Sequence, residues 1–394
     1  MKGIQNLKLV KKRVLIRVDF NVPLDKNQKI TDTSRIKAAI PTIKEIIKKS
    51  GTVILISHLG RPNSKDPKLS LKPIAKKLSE LLCQKVIFSK YCIGEQALSD
   101  IKKLKPGNII LLENLRYYKE EEEGDVDFAK KLSSLADVYV NDAFGTAHRA
   151  HASTYTITRF FKKSRYCGLL LEKEITNLDL MLKKSKKPFT AIIGGAKISS
   201  KIDIILSLLE KTDKIIIGGG MAYTFVKALG GIVGRSIVEE DKLVLAKKII
   251  QQAKEHGVDL ILPVDSINSI SFSNNEKISS SDIYKIPKES IGLDIGSKSI
   301  SLFKKHILSS KTILWNGPMG VFEFSKFANG TKSVCQAVCD STSDGAFSLV
   351  GGGDSIAAAK LFGLSEGFSY VSTGGGAMLA YLEGKSLPAL KALS

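Results

Sequence analysis

Arginine is the scarce cation of this sequence, and its placement points to chemistry. Of the 60 basic residues only nine are arginine, and eight of those nine precede residue 170. Arg35, Ser57-His58-Leu59-Gly60-Arg61-Pro62, Arg116 and Ala147-His148-Arg149-Ala150-His151 each fall just after a strand-like run or at a helix start. In a parallel sheet such loops converge on one edge. Planar guanidiniums with imidazoles among them make a rigid, multidentate cradle for a small phosphorylated carboxylate. Each arginine alone fits a surface salt bridge equally well, and each histidine an ordinary loop hydrogen bond; the clustering is what favours an anion site. Arg17-Val18-Asp19-Phe20-Asn21-Val22-Pro23 closes the first strand with an aspartate and an asparagine suited to hydroxyl groups, although alone both read as turn formers.

A second signal lies in glycines that end strands: Ile192-Ile193-Gly194-Gly195, Ile216-Ile217-Gly218-Gly219-Gly220, Leu349-Val350-Gly351-Gly352-Gly353 and Val371-Ser372-Thr373-Gly374-Gly375-Gly376. One such pair is as readily a tight turn. Four of them favour a nucleotide site, because glycine lets phosphate or adenine approach bare backbone beside a helix N-terminus. Lys197 and Lys201 follow the first cluster and read as one helical turn apart at a helix start, both able to face a phosphate chain. Asp354 follows the third and reads from spacing as an N-cap. Gly384-Lys385-Ser386 imitates the end of a phosphate-binding P-loop, but Leu379 stands where that motif needs glycine. No cluster in the second half spells GxGxxG, which removes the dinucleotide fingerprint of a dehydrogenase and the kinase glycine loop.

The elements that must position these residues alternate strand and helix along the chain, the signature of βα units and a parallel sheet. Strands are expected at Val14–Val18, Val53–Ser57, Lys85–Phe88, Ile109–Glu113 and Val138–Asn141, enough for one complete domain. Between the first two, Arg35 to Lys49 puts Ile36, Ala39, Ile40, Ile43, Ile46 and Ile47 on one face and stops at Gly51 as a glycine C-cap. The second half repeats the logic. Leu169 to Lys184 reads as a helix between domains, Ser269 to Ser281 as an aperiodic surface loop, and Glu120 to Glu123 as a solvated acidic run.

Composition bounds the function. The chain has 394 residues, enough for two or three domains, and a formal net charge of +21. Such a charge favours polyanionic partners, yet most of its lysines fall at polar helix positions such as Lys48-Lys49 and Lys183-Lys184, as on a solvated surface. Before residue 170 there are 33 basic and 17 acidic residues, against 27 and 22 afterwards, so the first half is the anion-binding one. A nucleic-acid binder would interleave aromatics with basic residues, and aromatics are 7% with no such stripe. No run of 18 apolar residues appears, and no signal-peptide pattern opens the chain, so a membrane span and secretion are not expected. Five scattered cysteines read as free thiols of a reducing cytosol.

Taken in order, RVDFNVPLD, HLGRP, NDAFGTAHRAH, GGAKISSK, NGPMGVFE and GGGDS resemble phosphoglycerate kinases from about Lys12 to Ser394. The resemblance implies an α/β architecture of two doubly wound, Rossmann-like parallel-sheet domains. Residues 1–168 with 385–394 would bind 3-phosphoglycerate, 169–185 would form an interdomain hinge helix, and 186–384 would bind nucleotide. It implies reversible phosphoryl transfer from 1,3-bisphosphoglycerate to Mg-ADP, giving 3-phosphoglycerate and Mg-ATP, in a cytoplasmic monomer. Carried over, Asp19, Phe20, Asn21, His58, Leu59, Gly60, Arg61, Arg116 and Arg149 would surround the acid, with Arg35 nearest the transferred group. Lys197 and Lys201 would join Arg35 in catalysis. Gly219, Gly220, Gly292, Leu293, Asn316, Pro318, Glu323, Gly352, Gly353 and Ser355 would line the nucleotide, and Asp354 would hold Mg²⁺. The chain departs from the family pattern at Ser266, where an aromatic residue is common, and in the 269–281 segment.

Overall fold

The computed structural model describes residues 1–394, and its contacts divide the chain into two units, Met1–Thr176 with Ser386–Ser394 and Asn177–Lys385. The division falls inside a helix, Leu169–Lys183. In the first unit, strands β1 (Arg13–Val18), β2 (Thr52–Ile56), β3 (Val86–Phe88), β4 (Ile109–Leu111), β5 (Val138–Asp142) and β6 (Arg165–Cys167) pair in parallel in the order β3-β4-β2-β1-β5-β6. β6 was not expected: at three residues it carries no readable pattern, and its register is set by pairing with Tyr139 to Asn141 of β5. β2, β4 and β5 are buried at every position, as strands covered by helices on both faces must be.

The helix after β1, Ser34–Lys48, packs Ile36, Ala39, Ile43 and Ile46 into the core against Val14, Ile16 and Val53. It does not end on a left-handed Gly51. Ser50 takes the left-handed conformation (φ 57°), and the amides of Ser50 and Gly51 donate to the carbonyls of Ile47 (2.8 Å) and Ile46 (3.1 Å), the paired bonds of a Schellman end. Gly51 is required for space instead, since a Cβ there would lie 2.9 Å from Ile46 Cγ2. The last residues, Pro388–Leu393, form a helix whose Ala389 amide donates to the carbonyl of Ala147 (3.2 Å).

The second unit holds β7 (Phe189–Ile193), β8 (Lys214–Ile217), β9 (Ile232–Val233), β10 (Asp259–Ile261), β11 (Asp265–Ser269), β12 (Ser279–Asp282), β13 (Lys285–Ile286), β14 (Ile291–Ile295), β15 (Thr312–Asn316), β16 (Phe347–Val350) and β17 (Tyr370–Val371). Its main sheet is parallel, in the order β10-β8-β7-β15-β16-β17. The loop expected at 269–281 is present over 270–278, and only the ends of that segment belong to strands, β11 and β12, which form an antiparallel pair extended by β14. The short strand at its far end shows no apolar alternation because its polar side chains bond across the pair, as Ser281 Oγ does in accepting from Asn268 Nδ2 (2.8 Å). Ser266 is fully buried in β11 and shares a hydrogen bond with the Tyr223 hydroxyl (3.0 Å). All five cysteines are free, four of them buried, and no helix is long and apolar enough to cross a membrane.

Candidate functional site

In the first unit, the loops after β1, β2, β4 and β5 leave the same edge of one parallel sheet, and their polar residues bond across from strand to strand. Asp19 accepts from the amide of Asn21 (3.2 Å), the turn expected of it, and pairs with Arg35 at the start of the next helix. Asn21 Oδ1 accepts from the amide of Gly60 (2.9 Å), and the Gly60 carbonyl accepts from Arg116 (2.6 Å), so three loops are fastened in series. Asn114, absent from the sequence reading, is fully buried and bonds on both sides. Its oxygen takes the amides of Leu59 (3.2 Å) and Arg116 (3.1 Å), and its nitrogen gives to the carbonyls of Leu59 (2.8 Å) and Leu69 (2.9 Å).

Arg116 is only 7% exposed, and one terminal nitrogen of its guanidinium has no hydrogen-bond partner. Its Nε lies 3.1 Å from Glu122. Burial and the neighbouring Arg149, Arg17 and Arg61 lower its pKa against the opposing pull of Glu122. His148 has a buried Nδ1 without a partner while its Nε2 accepts from Arg149 (3.2 Å). A buried guanidinium nitrogen left unpaired among further cations is a costly arrangement that an anion relieves. Arg61 is exposed and Arg149 half-buried. Phe20 and Leu59 are buried in the core, so they offer a ligand backbone and not side chain.

Behind this layer lies a network that the sequence reading missed. Arg17 is fully buried in β1 and gives hydrogen bonds to Ser153 Oγ (2.9 Å) and His58 Nδ1 (3.1 Å). The acidic run at 120–123 is not wholly solvated: Glu121 is fully buried, and takes bonds from the Ser153 hydroxyl (2.6 Å) and amide (2.9 Å). The available signal was Arg17 itself, a charge within the apolar run Val14 to Val18, which had to be paired if that strand lay in the sheet's centre. Burial pushes the Glu121 carboxyl up and holds His58 well below its usual range, with Arg17, Arg116 and Arg35 adding to the effect on His58. His151 is held down to about 3, again by burial first and then by Arg17, Arg116 and Arg149.

In the second unit, five neighbouring strands of the main sheet end in glycine at one edge: Gly218 after β8, Gly194 after β7, Gly317 after β15, Gly351 after β16 and Gly374 shortly after β17. Backbone meets backbone there. A Cβ on Gly194 would stand 2.1 Å from the Pro318 carbonyl oxygen, one on Gly317 2.2 Å from that of Gly194, and one on Gly219 2.6 Å from the Gly195 amide. Lys201 donates to Asn316 Oδ1, and Asn316 Nδ2 donates to the Gly351 carbonyl (2.9 Å). Ser355 is buried, its hydroxyl taking the Gly317 amide (2.6 Å). Burial lowers the Lys201 pKa, with Asp354 and Glu383 opposing.

Two local expectations are corrected. Lys197 and Lys201 are not one α-helical turn apart. Lys197 is extended and exposed, a 3₁₀ turn covers Ile198–Ser200, and Lys201 is the residue before helix Ile202–Leu209. Asp354 is not an N-cap: Gly352 occupies that position (φ 92°), and Asp354 sits exposed in the first turn of helix Gly353–Leu361. Gly352 wins because the left-handed backbone there excludes most side chains. Gly220 packs its backbone against Ala196, and Gly292 faces the Tyr223 hydroxyl and Ser266. Leu293 is buried and its carbonyl takes the Val321 amide (2.9 Å), fastening the turn that carries half-buried Pro318 and exposed Glu323.

Comparison with known proteins agrees over the full length. A family model described as phosphoglycerate kinase matches residues 4–385. A phosphoglycerate kinase of a Nostoc species is 52% identical over 382 residues, covering 97% of this chain and 95% of its own. A wheat (Triticum aestivum) protein named phosphoglycerate kinase, cytosolic, is 51% identical over 382 residues, again 97% and 95% of the two. Among solved structures, phosphoglycerate kinase from Coxiella burnetii superposes with a TM-score of 0.88 at 41% identity, covering 99% of this chain and 98% of that one.

The histidine environment fixes a pH dependence. His151 has an unfolded value near 6.5 and a folded value of about 3, so acidification protonates the unfolded chain first. The stability it contributes is complete above pH 6.5 and is lost as pH falls toward 3, at up to about 1.4 kcal/mol per pH unit. His151→Gln should therefore lose less stability than the parent between pH 7 and pH 5. Urea unfolding followed by circular dichroism reads the difference, and parallel pH slopes would assign the proton uptake to other groups.

Proposed function

Because the chain belongs to the phosphoglycerate kinase family, we propose that its two sets of strand-end loops hold the two substrates of that reaction. The enzyme is a glycolytic phosphotransferase that moves a phosphoryl group reversibly between 1,3-bisphosphoglycerate and ADP. The observation that carries the assignment is the buried, incompletely paired Arg116 in the first unit, beside Arg17, Arg149 and Arg61. On this reading Asp19 and Asn21 take the hydroxyl and carboxylate end of 3-phosphoglycerate, while His58, Arg61, Arg116 and Arg149 take its phosphate. Gly60 serves through its backbone. Arg35 is held to Asp19 at the helix start and stands nearest the transferred group.

The glycine edge of the second unit takes the nucleotide. Gly219, Gly220, Gly292 and Leu293 surround the adenine, Pro318 and Glu323 approach the ribose side, and Lys197, Lys201, Asn316, Gly352, Gly353 and Ser355 serve the phosphates. Mg²⁺ fits Asp354: the carboxylate is exposed, the space beside Gly353 is open, and an ion that keeps most of its water needs only one carboxylate besides phosphate oxygens. Bound there, the ion would neutralise phosphate charge. The phosphoryl group passes between two oxygens through a loose, metaphosphate-like state, so the chain has to position and neutralise and needs no covalent relay. Arg35, Lys197 and Lys201 supply positive charge to that state.

Reacting atoms must come within about 3 to 3.5 Å, and the proposed acid and nucleotide sites belong to different units. We therefore propose closure of the units about helix Leu169–Lys183 and the segment after Gly384, which also keeps water from the acyl phosphate. One copy supplies both sites, as a monomer would, and the free cysteines support a cytoplasmic location.

Arg35→Ala should fold normally, bind nucleotide as the parent does and lose about 10³-fold or more in turnover, as for other arginines that meet transition-state charge. Retention of most turnover at saturating substrates removes Arg35 from catalysis. Asp354→Asn should leave the helix end intact, since Gly352 caps it, while abolishing the gain in nucleotide affinity that Mg²⁺ confers. Calorimetric titration of ADP with and without the metal checks this, and an unchanged gain places the metal elsewhere. Small-angle scattering should show a smaller radius of gyration with 3-phosphoglycerate and nucleotide bound together than in the free enzyme, at the mass of one chain. An active preparation of unaltered radius would sink the closure model, and a doubled mass the monomer.

A further inference from the structure

His58 is 4% exposed, and its Nδ1 lies 3.1 Å from Arg17 NH2. A guanidinium has only protons to give, so Nδ1 is the acceptor of that bond and carries no proton. Arg17 is in turn held from behind. Its Nε gives to Ser153 Oγ (2.9 Å), whose own proton goes to Glu121 Oε1 (2.6 Å), and the Ser153 amide secures Glu121 Oε2 (2.9 Å). Arg17 NH1 gives to the carbonyl of Val18. Every donor and acceptor along Glu121, Ser153, Arg17 and His58 thus has one direction only, and reversing any bond would set two donors or two acceptors against each other. His58 Nε2 makes no hydrogen bond within the protein.

We propose that Glu121 and Ser153 are positioning residues of the acid site, which through Arg17 hold His58 as the neutral imidazole with its proton on Nε2, so that it gives one hydrogen bond to the anionic substrate and never acts as a base. This rests on the acid-site reading above. Its chemistry differs from that of the arginines: they supply charge, whereas His58 supplies a directed donor whose orientation is fixed before the substrate arrives. The surrounding cations Arg17, Arg35 and Arg116 and the neighbouring His151 all oppose a charged His58. Glu121 is the buried carboxylate that Ser153 links to Arg17 inside the sheet.

The test uses the full chain labelled with ¹⁵N-histidine and two-dimensional ¹H–¹⁵N spectra, His58 being assigned by the signal missing in His58→Gln. The free enzyme should show His58 protonated on Nε2 alone and unchanged from pH 8 to pH 5. Ser153→Ala should mix the tautomers and raise KM for 3-phosphoglycerate about tenfold, the worth of one hydrogen bond. KM for ATP and kcat should stay within about twofold, and Ser153→Thr should restore the parent pattern. A His58 protonated on Nδ1, or cationic at pH 7, overturns the proposal in the parent enzyme whether or not the variants fold. So does a Ser153→Ala enzyme with unchanged tautomer and KM. If His58 has the expected tautomer but its Nε2 signal ignores added 3-phosphoglycerate, the acid-site reading fails instead, and the substrate role of His58 with it.

Discussion

Parallel pairing is the constraint from which the rest follows. A strand that continues alongside a parallel neighbour must cross over through a helix and begin again at the same end. Every carboxyl end of β1 to β6, and of the six strands of the second main sheet, therefore opens on one edge of its sheet. Loops of distant sequence are forced together there without any need for long-range specificity of their own. Asp19, Gly60, Arg116 and Arg149 span more than a hundred residues, yet hydrogen bonds and shared electrostatics tie them into a single patch.

The two edges solve opposite problems with that geometry. In the first unit the problem is excess charge: Arg17 and Arg116 are buried among other cations, and Glu121, Glu122 and Asp19 compensate only part of it. The residual positive field is what the anionic substrate proposed for this edge would complete. In the second unit the problem is excess bulk. Gly194, Gly219 and Gly317 bring three strand ends within backbone contact, leaving amides and carbonyls in place of side chains. Such a floor suits the nucleotide proposed for this edge, because phosphate oxygens seek N–H donors at close approach.

How legible was all this in the sequence? The apolar runs located five strands of the first unit to within two residues, because buried parallel strands are nearly continuous in Val, Ile and Leu. The cationic loops were legible because scarce arginines sat at strand ends, and the glycine clusters because runs of two or three glycines recurred there. What stayed hidden was decided by tertiary contact. Glu121 looks like its three acidic neighbours, and only the return of Ser153 makes it a buried acceptor. Asn114 has no local signature at all, since its four partners lie on Leu59, Leu69 and Arg116. Asp354 was misplaced because a glycine, Gly352, sets the backbone where its helix begins, and Lys197 because a 3₁₀ turn over Ile198–Ser200 separates it from the helix that starts after Lys201.

Trp315 is the only tryptophan of the chain, wholly buried in β15, with its indole nitrogen donating to the Gly317 carbonyl (2.9 Å) and its ring 6.0 Å from that of Phe368. The first unit has tyrosines and no indole. Nature has thus put a single fluorophore inside one half of the molecule, anchored to the very turn whose glycine touches Gly194. Light absorbed at the red edge, where tyrosine is silent, is emitted from the second unit alone. The optical record of unfolding, read at that wavelength, is a record of the glycine edge coming apart, while circular dichroism sums both halves; the interval between the two curves measures how far the units melt as one.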